Sequence, residues 1–212
     1  MVEFKAKADE IIKQRWGIEV EHFRATISYE SQFYRIRVNK ARGIGQIYGF
    51  PTVKGAWCNS KLKMAALQTA KLFSGNVSYV GIAADEPNRF HNLTETKRYP
   101  LVEAGWTEAM CREWSEANGL LSPIYTTATR GGCWFCHNQG VDQLRLLRKN
   151  YPEYWALMLK WDKDSPVSFK PDGHTVHDFD ARFALEDEGI ITPEDKWKWA
   201  YLADEPIQLK IQ

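Results

Sequence analysis

Two thiols three positions apart, Cys133 and Cys136, stand in the run RGGCWFCHNQG (Arg130–Gly140) and offer the most reactive chemistry in the chain. That spacing lets both sulfurs turn toward one metal ion or cluster, or toward each other as a redox pair. A pair of small apolar side chains is the plain alternative. Gly131 and Gly132, just before, let the backbone bend at little steric cost. Cys58 and Cys111 bring the total to four cysteines, and four thiolates are what a tetrahedral Zn²⁺ or a [4Fe-4S] cluster takes. Ligand count alone does not choose between those two. Cys58 opens a helix, where the dipole favours thiolate. Cys111 falls inside a helix between Trp106 and Trp114, as a fourth ligand or as a small buried hydrophobe. His137 is a loop histidine that can stand in for Cys111, and Trp134 and Phe135 would keep water from a centre held there.

The elements that must position these groups follow from periodicity and end signals. Phe4, Ala8, Ile11 and Ile12 recur at helical spacing, and Gly17 stops that helix. Ile18–Phe23 alternates apolar with polar and predicts a strand, with His22 at its edge. Asn39–Trp57 holds Gly43, Gly45, Gly49, Pro51 and Gly55 with Lys40, Arg42 and Lys54, which predicts a long loop. A helix from Cys58 to about Phe73 turns Leu62, Ala66, Leu67 and Ala70 inward. Lys61 and Lys63 in its first turn run against the helix dipole, and an anion bound there would account for them. Val77–Ala83 predicts the best strand, ending in the polar run Ala84–Arg89. Thr107 caps a helix that Gly119 ends, Val141–Lys149 is a short helix, and Pro152 opens another. After a polar linker, Thr192-Pro193-Glu194-Asp195 signals one more helix start. Together these predict an α/β domain over 1–162 and a helical extension over 163–212.

Composition narrows the partners. A formal charge of +1 over 212 residues argues against a general polyanion binder, although a local basic pocket of Lys61, Arg89 and Arg98 is compatible with it. Nine tryptophans, nine tyrosines and ten phenylalanines supply rings for a core and for a groove. No apolar run approaches the roughly 20 residues that span a bilayer. The charged, amphipathic start lacks the apolar stretch of a secretory signal. Four cysteines, two of them spaced as CxxC, suit a cytoplasmic thiol or metal site better than a disulfide scaffold.

Four stretches in order carry a likeness: GAWCNSKLK (Gly55–Lys63), YVGIAADEPNR (Tyr79–Arg89), KRYPLVEAGWTEAMCREW (Lys97–Trp114) and GGCWFCHNQGVDQLRLLRKNYPEYW (Gly131–Trp155). Over about residues 3–162 the chain resembles the phosphoadenosine phosphosulfate reductase family. The branch it resembles is that of phages and mobile elements, within the adenine nucleotide α-hydrolase superfamily. The resemblance implies a Rossmann-like α/β fold. ATP or another adenine nucleotide would lie at the sheet edge, bordered by Lys61, Lys63, Asp85, Arg89 and Arg98. It also implies that Cys58, Cys111, Cys133 and Cys136 converge on a [4Fe-4S] cluster, with Zn²⁺ as the alternative. The family's opening strand and its Ser-Gly-Gly-Lys-Asp-Ser phosphate loop have no counterpart in this sequence. The expected fold is therefore N-terminally truncated, its open sheet position covered by a second copy or a partner protein. Sulfur or reductive chemistry would then depend on a partner that supplies the phosphate loop. The alternative is a non-catalytic phage or mobile-element protein that binds a macromolecule through the same face.

Overall fold

The structure, a computed structural model, describes residues 2–39, 43–52, 56–69, 77–90, 96–126 and 131–195. The loop cations Lys40, Arg42 and Lys54, the helix end at 70–73 and any helix after Asp195 lie outside these residues. The chain divides into two compact units, Met1–Tyr29 with Trp57–Gly131 and Glu30–Ala56 with Gly132–Gln212.

The first unit opens with α1 (Val2–Trp16). As the sequence predicts, Gly17 ends it at φ +66°, and the Gly17 amide donates to the Lys13 carbonyl at 2.9 Å. Residues 18–25 follow without regular secondary structure and pair with no strand among the described residues. Their polar side chains are tied back to the helix instead, through Lys13–Glu19 and His22–Asp9, each at 2.7 Å. Alternation thus serves an irregular segment tied to α1, while Ile18, Val20 and Phe23 face solvent. A π-helix over Cys58–Met64 runs directly into α3 (Ala65–Thr69). Of the predicted strand at 77–83, only β1 (Ser78–Tyr79) pairs, in parallel with β2 (Lys97–Arg98). After β1 the chain turns inward, and Ile82 and Ala83 are buried without a ladder. α4 (Pro100–Glu103) and α5 (Glu108–Ala117) complete the unit. The Thr107 hydroxyl accepts from the Met110 amide at 3.3 Å, the cap that the sequence signals.

These facts correct the expected fold. The described residues form a mostly helical protein with one pair of two-residue strands, not a Rossmann-like α/β sheet, truncated or otherwise. Without that sheet, the reason for expecting a partner over its open position disappears.

The second unit holds most of α2 (Tyr29–Phe33), then α6 (Val141–Asn150), α7 (Pro152–Asp164) and α8 (Val176–Asp187). Apolar spacing of three and four turns one face of each long helix inward. Leu144 and Leu147 are buried from α6, Trp155, Met158 and Trp161 from α7, and Val176, Phe179 and Phe183 from α8. Each such side chain stabilises the fold by about 1.5–3 kcal/mol relative to exposure. Phe33, Phe50 and Phe169 meet edge to face at centroid distances of 5.4 and 5.2 Å. Among them Gln32 is sealed at 1% exposure, and its amide nitrogen and oxygen have no hydrogen-bond partner among the described residues. A charged layer ties α6 to α8: Arg145 and the buried Arg182 both hold Glu186, and Arg148 holds Asp180 and Asp187.

Candidate functional site

The thiol pair sits on two consecutive turns. The Cys136 amide donates to the Cys133 carbonyl at 3.0 Å, and the Gln139 amide donates to the Cys136 carbonyl at the same distance. Such a turn holds its first and fourth Cα atoms within about 7 Å, a range that overlaps the spacing of roughly 4.4–6.8 Å found across disulfides. All four cysteines of the chain are thiols; Cys133 is exposed and Cys136 half-buried. The glycines ahead of the turn serve differently from expectation, since neither takes a left-handed φ. At Gly131 a Cβ would meet the Tyr125 hydroxyl at 2.9 Å, so close approach is what glycine permits there.

Two side chains hold the turns in shape. The Gln139 amide donates to the carbonyls of Cys133 at 2.7 Å and Trp134 at 2.9 Å. Lys170, from the bend between α7 and α8, donates to the carbonyls of His137, at 2.6 Å, and Gln139. Its ammonium also lies over the Phe169 and Phe179 rings at 5.3 and 5.8 Å. Burial pulls the Lys170 pKa below the ordinary lysine value, with Asp172 and then Cys136 acting the other way. His137 is held below its ordinary 6.5, by burial first and by Lys170 second. Its Nδ1 has no hydrogen-bond partner among the described residues. The histidine therefore stays neutral beside a cation.

Trp134, between the two cysteines, anchors the turn to α7. Its indole stacks on Tyr154 at 4.7 Å and on Trp161 at 5.6 Å, with interplanar angles of 18° and 17°. Phe135 meets Trp134 and Trp161 edge-on. Tyr154 in turn stacks with Tyr151, and both tyrosines reach solvent. Sequence reasoning picks out Trp134 and Phe135 but misses Gln139, Lys170, Tyr154 and Trp161. Gln139 lies three residues past Cys136, the interval of the second turn, and could have been found. No local signal links Lys170 to the cysteines.

The four-cysteine centre does not form. Among the described residues, no group of three or more His, Cys, Asp or Glu is placed to hold a metal ion. The expected [4Fe-4S] or Zn²⁺ site on Cys58, Cys111, Cys133 and Cys136 is therefore overturned, with the iron–sulfur and metal-binding function drawn from it. Cys58 and Cys111 belong to the first unit, Cys133 and Cys136 to the second. Cys111 is also poorly prepared as a ligand: burial, then Asp85 and Glu108, push its thiol up, away from the thiolate that a metal needs. His137 joins no ligand group either.

The sheet whose edge was expected to carry an adenine nucleotide is absent among the described residues, and three of the five residues expected there have partners within the chain. The Asp85 carboxylate accepts from the Glu108 amide at 2.9 Å and so helps to cap α5. Arg89 pairs with Glu86. Arg98 grips Glu103 through two hydrogen bonds of 2.8 and 2.9 Å. Lys61 and Lys63 are exposed on the π-helix. Among the described residues, no helix is long and apolar enough to cross a membrane. No protein-family model, curated protein or solved structure matches this chain.

Proposed function

We propose that the second unit carries a redox-active dithiol, with Cys133 as the attacking thiol and Cys136 as the resolving one. The observation that carries this reading is the hydrogen-bonded turn from Cys133 to Cys136, closed at 3.0 Å with its first cysteine exposed. Exposure governs which sulfur meets a partner first, and reactivity belongs to the thiolate. Cys133 thiolate attacks one sulfur of an external disulfide and expels the other as thiolate, leaving a mixed disulfide. Cys136 thiolate then attacks the Cys133 sulfur, closes the internal bond and expels the second thiolate. Two electrons pass to the external disulfide, and the two protons lost by the dithiol end on the two released thiols. Gln139 and Lys170 hold the turn carbonyls throughout, and the buried ammonium offers positive charge to the resolving sulfur.

The test is equilibration of the whole chain in glutathione buffers of graded ratio, followed by alkylation and mass spectrometry. A single two-electron transition joining Cys133 to Cys136 is expected, with Cys58 and Cys111 alkylated throughout. Cys133→Ser and Cys136→Ser should each abolish the transition. A folded chain that forms no such bond in pure oxidised glutathione, or pairs other cysteines first, overturns the reading.

A further inference from the structure

The first unit contains an open cavity of about 430 Å³, and no cysteine lines it. One wall is the π-helix and α3, which supply Leu62, Lys63, Ala66 and Leu67. These positions are pairs four apart, and side chains so spaced lie on one helical face. The other wall is the irregular segment after α1, through Phe23, Arg24, Ala25 and Ile27. Six of these eight lining residues are apolar, the other two are cations, and none is acidic. Neither Arg24 nor Lys63 is in an ion pair among the described residues, although Lys13, Arg15, Arg89 and Arg98 of the same unit all hold polar partners.

We propose that this cavity binds an amphipathic carboxylate, a medium-chain fatty acid or an acid of similar build. Its apolar body would lie on Phe23, Ile27, Leu62, Ala66 and Leu67, and its charge between Arg24 and Lys63. The volume lies within the range of about 300–1,000 Å³ usual for small-ligand pockets, and an apolar lining with few polar groups is their common make-up. Charge complementarity favours an anionic head group, because both polar residues that line the cavity are exposed cations and no acid lines it. π-helical turns are rare and recur at functional sites. Here Lys63, in the last turn of the π-helix, and Leu67 of α3 share the cavity wall.

Decanoate binding is read by calorimetry and by methyl chemical shifts of the intact chain, beside decanol and decyltrimethylammonium. The expected result is saturable decanoate binding that shifts the Leu62 and Leu67 methyls. Decanol should bind at least about threefold more weakly, and the ammonium compound not at all. Loss of one solvent-exposed charge is worth about 0.2–1 kcal/mol, so Arg24→Met and Lys63→Met should each weaken decanoate about 1.5- to fivefold and leave decanol unchanged. Equal binding of all three amphiphiles overturns the proposal, as do shifts confined to other methyls. The ligand comparison on the unaltered chain stays decisive even if a variant fails to fold.

Discussion

The two units seal their cores to different degrees. Among the described residues, the large side chains sealed below 2% exposure belong to the second: Phe33, Phe50, Phe169, Phe183, Leu144, Met158, Val176 and the polar Gln32. The first unit buries Trp57, Ala66, Ile82, Ala83 and Tyr99 less completely, at 2–6% exposure. Both units leave large apolar side chains exposed, Trp16, Ile18 and Trp114 in the first and Ile36, Val38 and Tyr151 in the second. Its ion pairs Arg98–Glu103 and Lys13–Glu19 lie at the surface, whereas the Arg182 and Glu186 side chains of the second keep 7% and 6%. Dense packing keeps a residue only where its partners are fixed, so the second unit can hold a thiol turn to a set shape. The first has the looser interior in which an open cavity survives. Native-state hydrogen exchange tests this directly: amides of α7 and α8 should be the slowest, and those of α1 and α5 should open at distinctly lower free energy.

The largest contrast should come from carboxylates. Glu186→Ala takes from Arg182 and Arg145 the carboxylate they share, leaving Arg182 with the Pro193 and Asp195 carbonyls and Arg145 with Asp142. Breaking a buried pair costs about 3–5 kcal/mol. The change should appear as a large drop in the denaturant midpoint. Glu103→Ala, which frees the exposed Arg98 and removes a long 3.4 Å acceptor from the Tyr99 amide, should move the midpoint far less. Equal effects would erase the distinction between the units.

Next come two left-handed glycines. Gly49 has φ +64°, and a Cβ there would meet Ser165 Oγ at 2.4 Å and Pro166 Cδ at 2.8 Å. Gly119 has φ +70° but only Ile11 Cδ1 nearby, at 3.9 Å. Gly119→Ala should cost about 1–2 kcal/mol from the backbone alone. Gly49→Ala should cost more, since the neighbours must also move, and chemical denaturation of both variants would rank them.

A smaller effect of opposite sign is expected at Gln32. A buried polar group without a partner costs about 1–3 kcal/mol. Gln32→Met, which keeps the length and removes the amide, should therefore raise the melting temperature. A fall instead would mean that the amide is satisfied in solution.

His137 should give the smallest signal, and its sign is fixed. Its folded pKa lies below the ordinary 6.5, so as pH falls from 6.5 the unfolded chain takes up a proton before the folded one does. The contribution is intact above 6.5 and erodes below it, through the folded pKa. His137→Asn should flatten the loss of stability between pH 7 and 5, measured by urea midpoints.

What was legible in the sequence is mostly local. Gly17, Thr107, Gly119 and Pro152 mark helix ends as expected, because a cap is settled within four residues of chain. The sheet was not legible. Ile18–Phe23 has the right period, but its glutamate and histidine found partners on α1, and nothing in the alternation distinguishes that outcome from a ladder. At the candidate site, the turn of Cys133 and Cys136 could be read from spacing, whereas Trp134, expected to shield a metal centre, stacks on Tyr154 and Trp161 instead. Lys170 and Trp161 reach it from 34 and 25 residues away, by helix packing that no motif records. The four cysteines misled because a ligand count says nothing of whether distant thiols meet.

Trp134 also makes the redox state visible. A sulfur–sulfur bond quenches a neighbouring indole by accepting its excited electron, and this indole lies between the two cysteines in sequence. Its near-parallel stack with Trp161, at 5.6 Å and 17°, couples the two ring transitions as well. Oxidation of the turn would then dim emission and alter near-ultraviolet circular dichroism together. Trp134→Phe isolates both signals from the other eight tryptophans. The chain carries its own optical label at the point where its chemistry is concentrated.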